Sequence, residues 1–169
     1  MEMITRGLPF VRRLGILHDP EHNTGFLHDA AEAAPSLNLT VVPIQVSSKK
    51  DIPLALEGQW KHLDALWLIP DRTVISESIV TYLIKEAFFK KMPVIGYNRF
   101  FYETGAALAF VFDYRELGRQ CAHEALRMLS GEDCRETPPR FRVWVNEKMM
   151  EKLGRRHPNA YLPPLQPGP

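Results

Sequence analysis

The chain is predicted to be a single α/β domain with a doubly wound, mostly parallel sheet and helices on both faces. Its 169 residues are enough to bury one core without disulfides or metals. Short runs rich in Val, Ile and Leu alternate with segments whose apolar residues recur at helical spacing. Alternating strands and helices are typical of parallel sheets, whose right-handed crossovers cover both faces.

The strands are predicted from short apolar or β-branched runs flanked by turn residues. Pro43 has no N–H to donate to a sheet, so the second strand is expected at or near an edge. The third is apolar almost throughout, which is typical of an interior strand covered on both faces. The six predicted strands are 13–18, 39–46, 63–70, 92–97, 108–112 and 141–145.

The helices are predicted from apolar residues three or four positions apart. Asn23 or Thr24 is expected to cap the first and Ser48 the second, because their side-chain oxygens can accept from free N–H groups. Gly131 follows the fourth, in the position where glycine commonly ends a helix. The predicted helices are 24–34, 51–60, 76–90, 114–129 and 147–153, and 98–105 is expected to be a loop or short helical turn.

The domain is expected to cover residues 8–154. The Pro-rich segment 155–169 is expected to be a disordered or loosely packed tail, since five prolines follow His157. No export signal is recognised at the N-terminus, which fits either a cytoplasmic protein or a fragment. Of the two cysteines, Cys121 is expected in the core and Cys134 in a polar loop.

Charge and hydropathy exclude several classes of protein. Lys and Arg total 21 against 20 Asp and Glu, so the chain lacks the positive excess that binding to a nucleic-acid backbone requires. A nucleic-acid partner is therefore not expected. No apolar run approaches the roughly 18 residues needed to span a bilayer.

Three loops follow predicted strands and are the candidate site, because ligands of such folds bind beyond the carboxyl ends of the strands. They are 19–25, 71–76 and 97–105. The first opens a helix whose free N–H groups favour an anion such as a carboxylate. The first two are also compatible with plain turns and helix caps.

The third loop has the most unusual composition in the chain. It carries Tyr97, Phe100, Phe101 and Tyr102 among polar residues. Aromatic walls with a few polar groups suit an aromatic or apolar small molecule. The alternative is that some of these rings pack beneath the loop.

No motif for catalysis, a cofactor or a metal is present. The chain has no GxSxG, glycine-rich phosphate loop, HExxH or CxxC, and its six histidines are scattered. An enzyme using Asp19 or Asp71 as a base remains an alternative, although no partner group completes such a site. We therefore predict a binding protein without catalytic residues.

The chain resembles the second lobe of the tryptophan/tyrosine-type substrate-binding proteins of ABC transporters. The resemblance extends from about Leu8 to Gly154. It rests on a set of segments that occur in family order: RRLGILHDPEHNT, VSSKKDIPLAL, LDALWLIPDRTVISES, MPVIGYN, TGAALAFVFDYRELGRQCAHEALRMLSGE and VWVNEKMMEKLG.

The resemblance implies a periplasmic-binding-protein type I-like lobe that binds an amino acid or related small organic molecule without chemistry. A full-length protein would be extracytoplasmic and would deliver its ligand to an ABC permease. Arg72 and the aromatic 99–102 depart from the family pattern, and a sensor or regulatory domain is the alternative function. The implied ligand-facing residues are Asn23, Thr24, Asp71, Thr73, Tyr97 and Asn98.

The helix 114–129 is a candidate homodimer contact. In the two-lobed family the segment 108–129 crosses into the first lobe, so a single lobe leaves this helix without its usual neighbour. Its apolar face comprises Leu117, Cys121, Ala125 and Met128. A second copy of the chain is therefore a candidate partner, together with the small ligand.

Overall fold

The structure is a computed structural model that describes residues 1–132, 138–155 and 165–167. Its strands are β1 Arg13–His18, β2 Thr40–Gln45, β3 Ala65–Leu68, β4 Val94–Gly96, β5 Leu108–Phe112, β6 Phe141–Val145 and β7 Leu165–Pro167. Its α-helices are α1 Glu2–Gly7, α2 Pro20–Ala33, α3 Ile52–Glu57, α4 Glu77–Phe89, α5 Arg99–Thr104, α6 Tyr114–Leu129 and α7 Glu147–Lys152. Within these ranges, no helix combines the length and apolarity needed to cross a membrane.

The strands form one sheet in the order β2-β1-β3-β4-β5-β6-β7. The first five are mutually parallel, whereas β6 runs antiparallel to β5. The predicted α/β class with a mostly parallel sheet is confirmed. So are the edge position of β2, where Pro43 lies, and the interior position of β3.

Alternate side chains of the interior strands point to opposite faces, and helices cover both. On one face, Leu66 and Leu68 of β3 pack with α3 and α4. On the other, Ile16 of β1 and the half-buried Trp67 of β3 pack with α2. Residues buried on both faces explain why β1 and β3 read as continuous apolar runs.

The structure has a further element on each side of the predicted domain 8–154. The helix α1 buries Ile4 in the core, so the folded unit begins before residue 8. Near the other end, 165–167 pairs with β6 as a short parallel strand, which differs from the disordered tail expected there. The edge of β6 that faces away from β5 has backbone N–H and C=O groups that do not pair with β5, and a later segment of the chain can form hydrogen bonds with them. The rest of the predicted tail beyond residue 155 lies outside the described residues.

The helix α2 begins four residues earlier than predicted. Asp19 caps it by accepting a hydrogen bond from Glu21 N, and Pro20 occupies the first turn. Neither Asn23 nor Thr24 is the cap. Similarly, Ser48 does not cap α3, because its hydroxyl donates to the carboxylate of Asp51, 2.9 Å away.

The helix α6 turns its polar side toward the rest of the chain. Gln120 donates to Pro138 O and accepts from Arg140 N, and Arg140 also pairs with Glu116 at 3.0 Å. None of its residues is buried, and Leu129 is 85% exposed. Cys121 is exposed on this helix, so its predicted core position is wrong. The apolar side of α6 has no cover in the described structure, and Cys134 lies outside the described residues.

Candidate functional site

The loops that follow β1 and β3 are hydrogen-bonded to each other. Asp19 N donates to Asp71 Oδ2 at 2.8 Å, and the side-chain amide of Asn23 donates to the same oxygen at 2.7 Å. The two strands are adjacent and parallel, so their carboxyl ends meet at one edge of the sheet. The fold thus brings together residues that are about 50 positions apart in the chain.

The second oxygen of Asp71 closes its own turn. It accepts from Thr73 N and Val74 N, both at 2.9 Å. The residue is only 6% exposed, so few waters could replace these donors. With four donors on two oxygens, the carboxylate acts as a clip between loops and has little capacity left for a ligand.

Asp19 adds a second link between the same loops. Its Oδ2 accepts from the Thr73 hydroxyl at 2.6 Å, while Oδ1 accepts from Glu21 N. These hydrogen bonds, led by that from Thr73, lower the pKa of Asp19 below its ordinary value of 3.8, and burial opposes them. The side chain therefore stays ionised at neutral pH.

A kink in α2 lets Asn23 reach Asp71. The residue has non-helical dihedrals, with φ −127° and ψ 18°, which interrupt the first turn. The next residue, Thr24, is exposed and returns its hydroxyl to Pro20 O. Of the predicted ligand residues, Asn23, Asp71 and Thr73 thus lie in one network, and Thr24 lies beside it.

Tyr97 and Asn98 follow β4, two strands from the carboxyl end of β1. Asn98 caps α5 by accepting from Phe101 N at 3.2 Å. The ring of Tyr97 packs on Phe101 with centroids 4.6 Å apart. Burial, reinforced by the neighbouring Tyr114, raises the pKa of the Tyr97 phenol.

The aromatic loop is the short helix α5, and its rings have different environments. Phe101 is in the core and lies directly against Gly96, where an added Cβ would collide with the Phe101 Cβ. Tyr102 packs edge-on against Trp144 at 5.3 Å. Phe100 lines an open groove. The alternative that some rings pack beneath the loop thus holds for Phe101.

This groove, which we call the α5–β6 groove, has a volume of about 470 Å³. Its floor includes Val111 and Arg142, which face each other across β5 and β6. Small-molecule sites typically enclose about 300–1,000 Å³. The groove is lined by Asn98, Arg99, Phe100, Val111, Phe112, Asp113, Tyr114, Arg142 and Trp144.

Of the residues that line this groove, the predicted third loop contained Asn98, Arg99 and Phe100. Asp113 follows β5 directly, as Asp19 follows β1, and Asp71 comes shortly after the end of β3. This repeated pattern of a strand followed by Asp could have identified Asp113 as a residue of the site. Arg142 and Trp144 carried no such signal, because they come from an antiparallel strand whose neighbour cannot be read from sequence.

The chain shares its fold, a mostly parallel α/β lobe, with solved periplasmic-binding-protein-like structures. The chain belongs to the ABC transporter substrate-binding protein family, which it matches over residues 1–162. Among curated proteins it is similar to a tyrosine-binding protein of Clostridioides difficile, with 22% identity over 90% of the chain and 46% of that protein.

Two solved structures share the fold. One is an ABC domain from Streptococcus pneumonia in complex with L-Trp, with a TM-score of 0.69, 22% identity, and coverage of 90% of this chain and 53% of that one. The other is the ligand-free, open form of a substrate binding protein with adhesive properties from Clostridium difficile, with a TM-score of 0.72, 22% identity, and coverage of 99% and 58%. The chain thus spans about half the length of the relatives it matches.

Proposed function

We propose that this chain is a non-enzymatic lobe that binds an amino acid or a related small organic molecule at the carboxyl edge of its sheet. The observation that carries the proposal is the α5–β6 groove, which opens at that edge beside Asn98. Family membership supports the class of function, and the tyrosine-binding relative and the neighbour bound to L-Trp support an amino acid.

The six residues predicted to face the ligand have different proposed roles at this edge. Asp71 and Thr73 hold the loops after β1 and β3 together. Asn23 links the first turn of α2 to Asp71, and Asn98 caps the start of α5. The exposed Thr24 and the half-buried Tyr97 then offer hydroxyl groups to the ligand.

The rest of the transport cycle is proposed for a longer protein. A second lobe would close over this edge, and hinge closure would trap the ligand between the two. The ligand-loaded protein would be extracytoplasmic and would dock on an ABC permease. Support comes from the family and from relatives about twice the length of this chain.

We also propose that the single lobe forms a homodimer through α6. The support is the uncovered apolar side of this helix, on which Cys121, Ala125 and Met128 are exposed. Its polar side is already engaged by the chain itself, through Gln120 and Glu116. A second copy could cover the remaining side.

A thermal-shift screen against amino acids and small organic acids tests the binding proposal. A ligand that binds only the native state raises the melting temperature. An aromatic amino acid should raise it, with weak affinity because one lobe makes only half the contacts of a closed clamp. The Tyr97→Phe variant, which removes one hydroxyl and keeps the ring, should reduce the shift.

The Tyr82→Phe variant is the matched control, because Tyr82 lies on α4 and lines a different groove. Its shift should equal that of the unmodified chain. A flat screen would contradict the proposal, and sub-micromolar affinity from the monomer would contradict the expectation of weak binding.

A further inference from the structure

The ionic groups at the carboxyl edge differ in how fully their partners satisfy them. Asp71 accepts four hydrogen bonds, and both oxygens of Asp19 are also occupied. Arg99, at the rim of the α5–β6 groove, pairs with Glu103 at 2.7 Å. These groups are therefore poorly placed to exchange their partners for the charges of a ligand.

Asp113 and Arg142 form the loosest ion pair on the groove. Asp113 Oδ1 caps α6 by accepting from Arg115 N and Glu116 N. Its Oδ2 lies 3.8 Å from Arg142 Nη2, which is too long for a hydrogen bond. The Arg142 side chain is 58% exposed. One carboxylate oxygen and one guanidinium thus face the groove without a close partner among the described residues.

The walls beside this pair are aromatic. Trp144 lies on the same face of β6 as Arg142, two residues along the strand, and Tyr102 of α5 holds its indole from the far side. Phe100 and the exposed Tyr114 also line the groove. Planar rings next to a carboxylate and a guanidinium complement a molecule with an aromatic group and both charges.

We propose that the α5–β6 groove binds the zwitterionic head of an aromatic α-amino acid between Asp113 and Arg142. The ligand ammonium donates to Asp113 Oδ2, and its carboxylate accepts from the Arg142 guanidinium. The aromatic side chain lies along Trp144 and Phe100. Insertion exchanges one long, solvent-exposed ion pair for two charge-assisted hydrogen bonds. This inference rests on the proposed function, which gives the ligand class, and assigns the two residues that hold the charges of the ligand.

The test follows the indole N–H signal of Trp144 by NMR during titration with three probes. L-Phenylalanine carries both charges, 3-phenylpropionate only the carboxylate, and phenethylamine only the ammonium. The Trp144→Phe variant assigns the signal among the three tryptophans. L-Phenylalanine should move this signal to saturation, and each single-charge probe should bind about tenfold more weakly or worse.

Two variants separate the charges. Arg142→Gln should weaken L-phenylalanine and 3-phenylpropionate by about tenfold and leave phenethylamine unchanged. Asp113→Asn keeps an oxygen for the helix cap and should weaken L-phenylalanine and phenethylamine only. Arg119→Gln is the control, because it removes an exposed arginine of α6 that does not line the groove. Circular dichroism and melting curves establish that each variant is folded.

The outcomes separate this inference from the proposed function. If aromatic amino acids raise the melting temperature while the Trp144 signal and the Arg142→Gln affinity stay unchanged, the groove assignment is overturned and the binding function stands. Equal binding of all three probes would overturn the zwitterion assignment. No response to L-phenylalanine in either measurement would overturn both.

Discussion

The carboxylate of Asp71 is a structural clip at the place where sequence reasoning expected a ligand contact. A carboxylate after a parallel strand can bind a ligand or close the turn, and the choice depends on how many donors surround it. Here Asp19 N, Asn23, Thr73 N and Val74 N occupy both oxygens. The residue supports the site by fixing two of its loops.

Asp71→Asn should destabilise the chain by about 2 kcal/mol, because the new amide group turns a donor toward donors in a buried position. Chemical denaturation of the purified chain measures this change. Asp29→Asn is the matched control, since Asp29 is exposed on α2 and should unfold as the unmodified chain does. Equal stability of the two variants would contradict the clip.

For individual residues, the sequence predicted which side chains lie close together more successfully than it predicted their hydrogen bonds and roles. Asn23, Asp71 and Thr73 came together because adjacent parallel strands end at one edge. The direction of each hydrogen bond depends on turn geometry and on the kink at Asn23, which composition does not encode. Cys121 was misassigned because an apolar stripe reveals an amphipathic face and does not reveal whether anything covers it.

The helix α6 shows the same limit for a whole element. Its bounds agree with the periodicity of the sequence, and so do those of β5 and β6. Its orientation does not follow from periodicity alone, because the polar side is the one that contacts the chain. A long apolar side left in water favours association with another surface.

If α6 forms the proposed homodimer, light scattering at high concentration should give twice the mass of the chain. Met128→Lys places a charge on the exposed apolar side and should shift the equilibrium toward monomer. Leu54→Lys is the control, since Leu54 is also an exposed apolar residue but lies on α3. A monomeric unmodified chain at every concentration would count against the dimer, as would equal effects of the two variants.

For the whole molecule, the fold was more predictable than the site. Alternating strands and helices, Pro43 at an edge and apolar β3 in the interior were sufficient for the fold class and for the positions of β2 and β3 in the sheet. The reversed β6 and the groove it forms with α5 depend on contacts between segments about 40 residues apart, such as Tyr102 with Trp144. Local patterns carry no information about such contacts.

The stability of the whole chain should decrease in acid. The pKa of Asp19 and that of Asp113 are both lowered in the folded state, the first mainly by the Thr73 hydroxyl and the second mainly by Glu116 N. A lowered pKa stabilises the fold above the ordinary value of 3.8, and this contribution is lost as the pH falls through the folded pKa.

The melting temperature should therefore be nearly constant down to about pH 5 and fall below about pH 4. Asp19→Asn, which cannot titrate, should lower the melting temperature at neutral pH and show a shallower fall in acid. Asp29→Asn should keep the slope of the unmodified chain. If the melting temperature of Asp19→Asn fell with pH in parallel with that of the unmodified chain, Asp19 would not contribute to the acid sensitivity.

The contact between Gly96 and Phe101 determines where redesign of this lobe is feasible. Any side chain at position 96 would collide with Phe101. A larger residue there would therefore disrupt the core before it could move α5 away from β4. The distance between the helix and the sheet is thus a fixed dimension of the groove. Attempts to evolve a different ligand preference should randomise Tyr114, whose exposed side chain lines the groove and can change size without shifting the backbone beneath it, and should keep Phe100, which packs against the core.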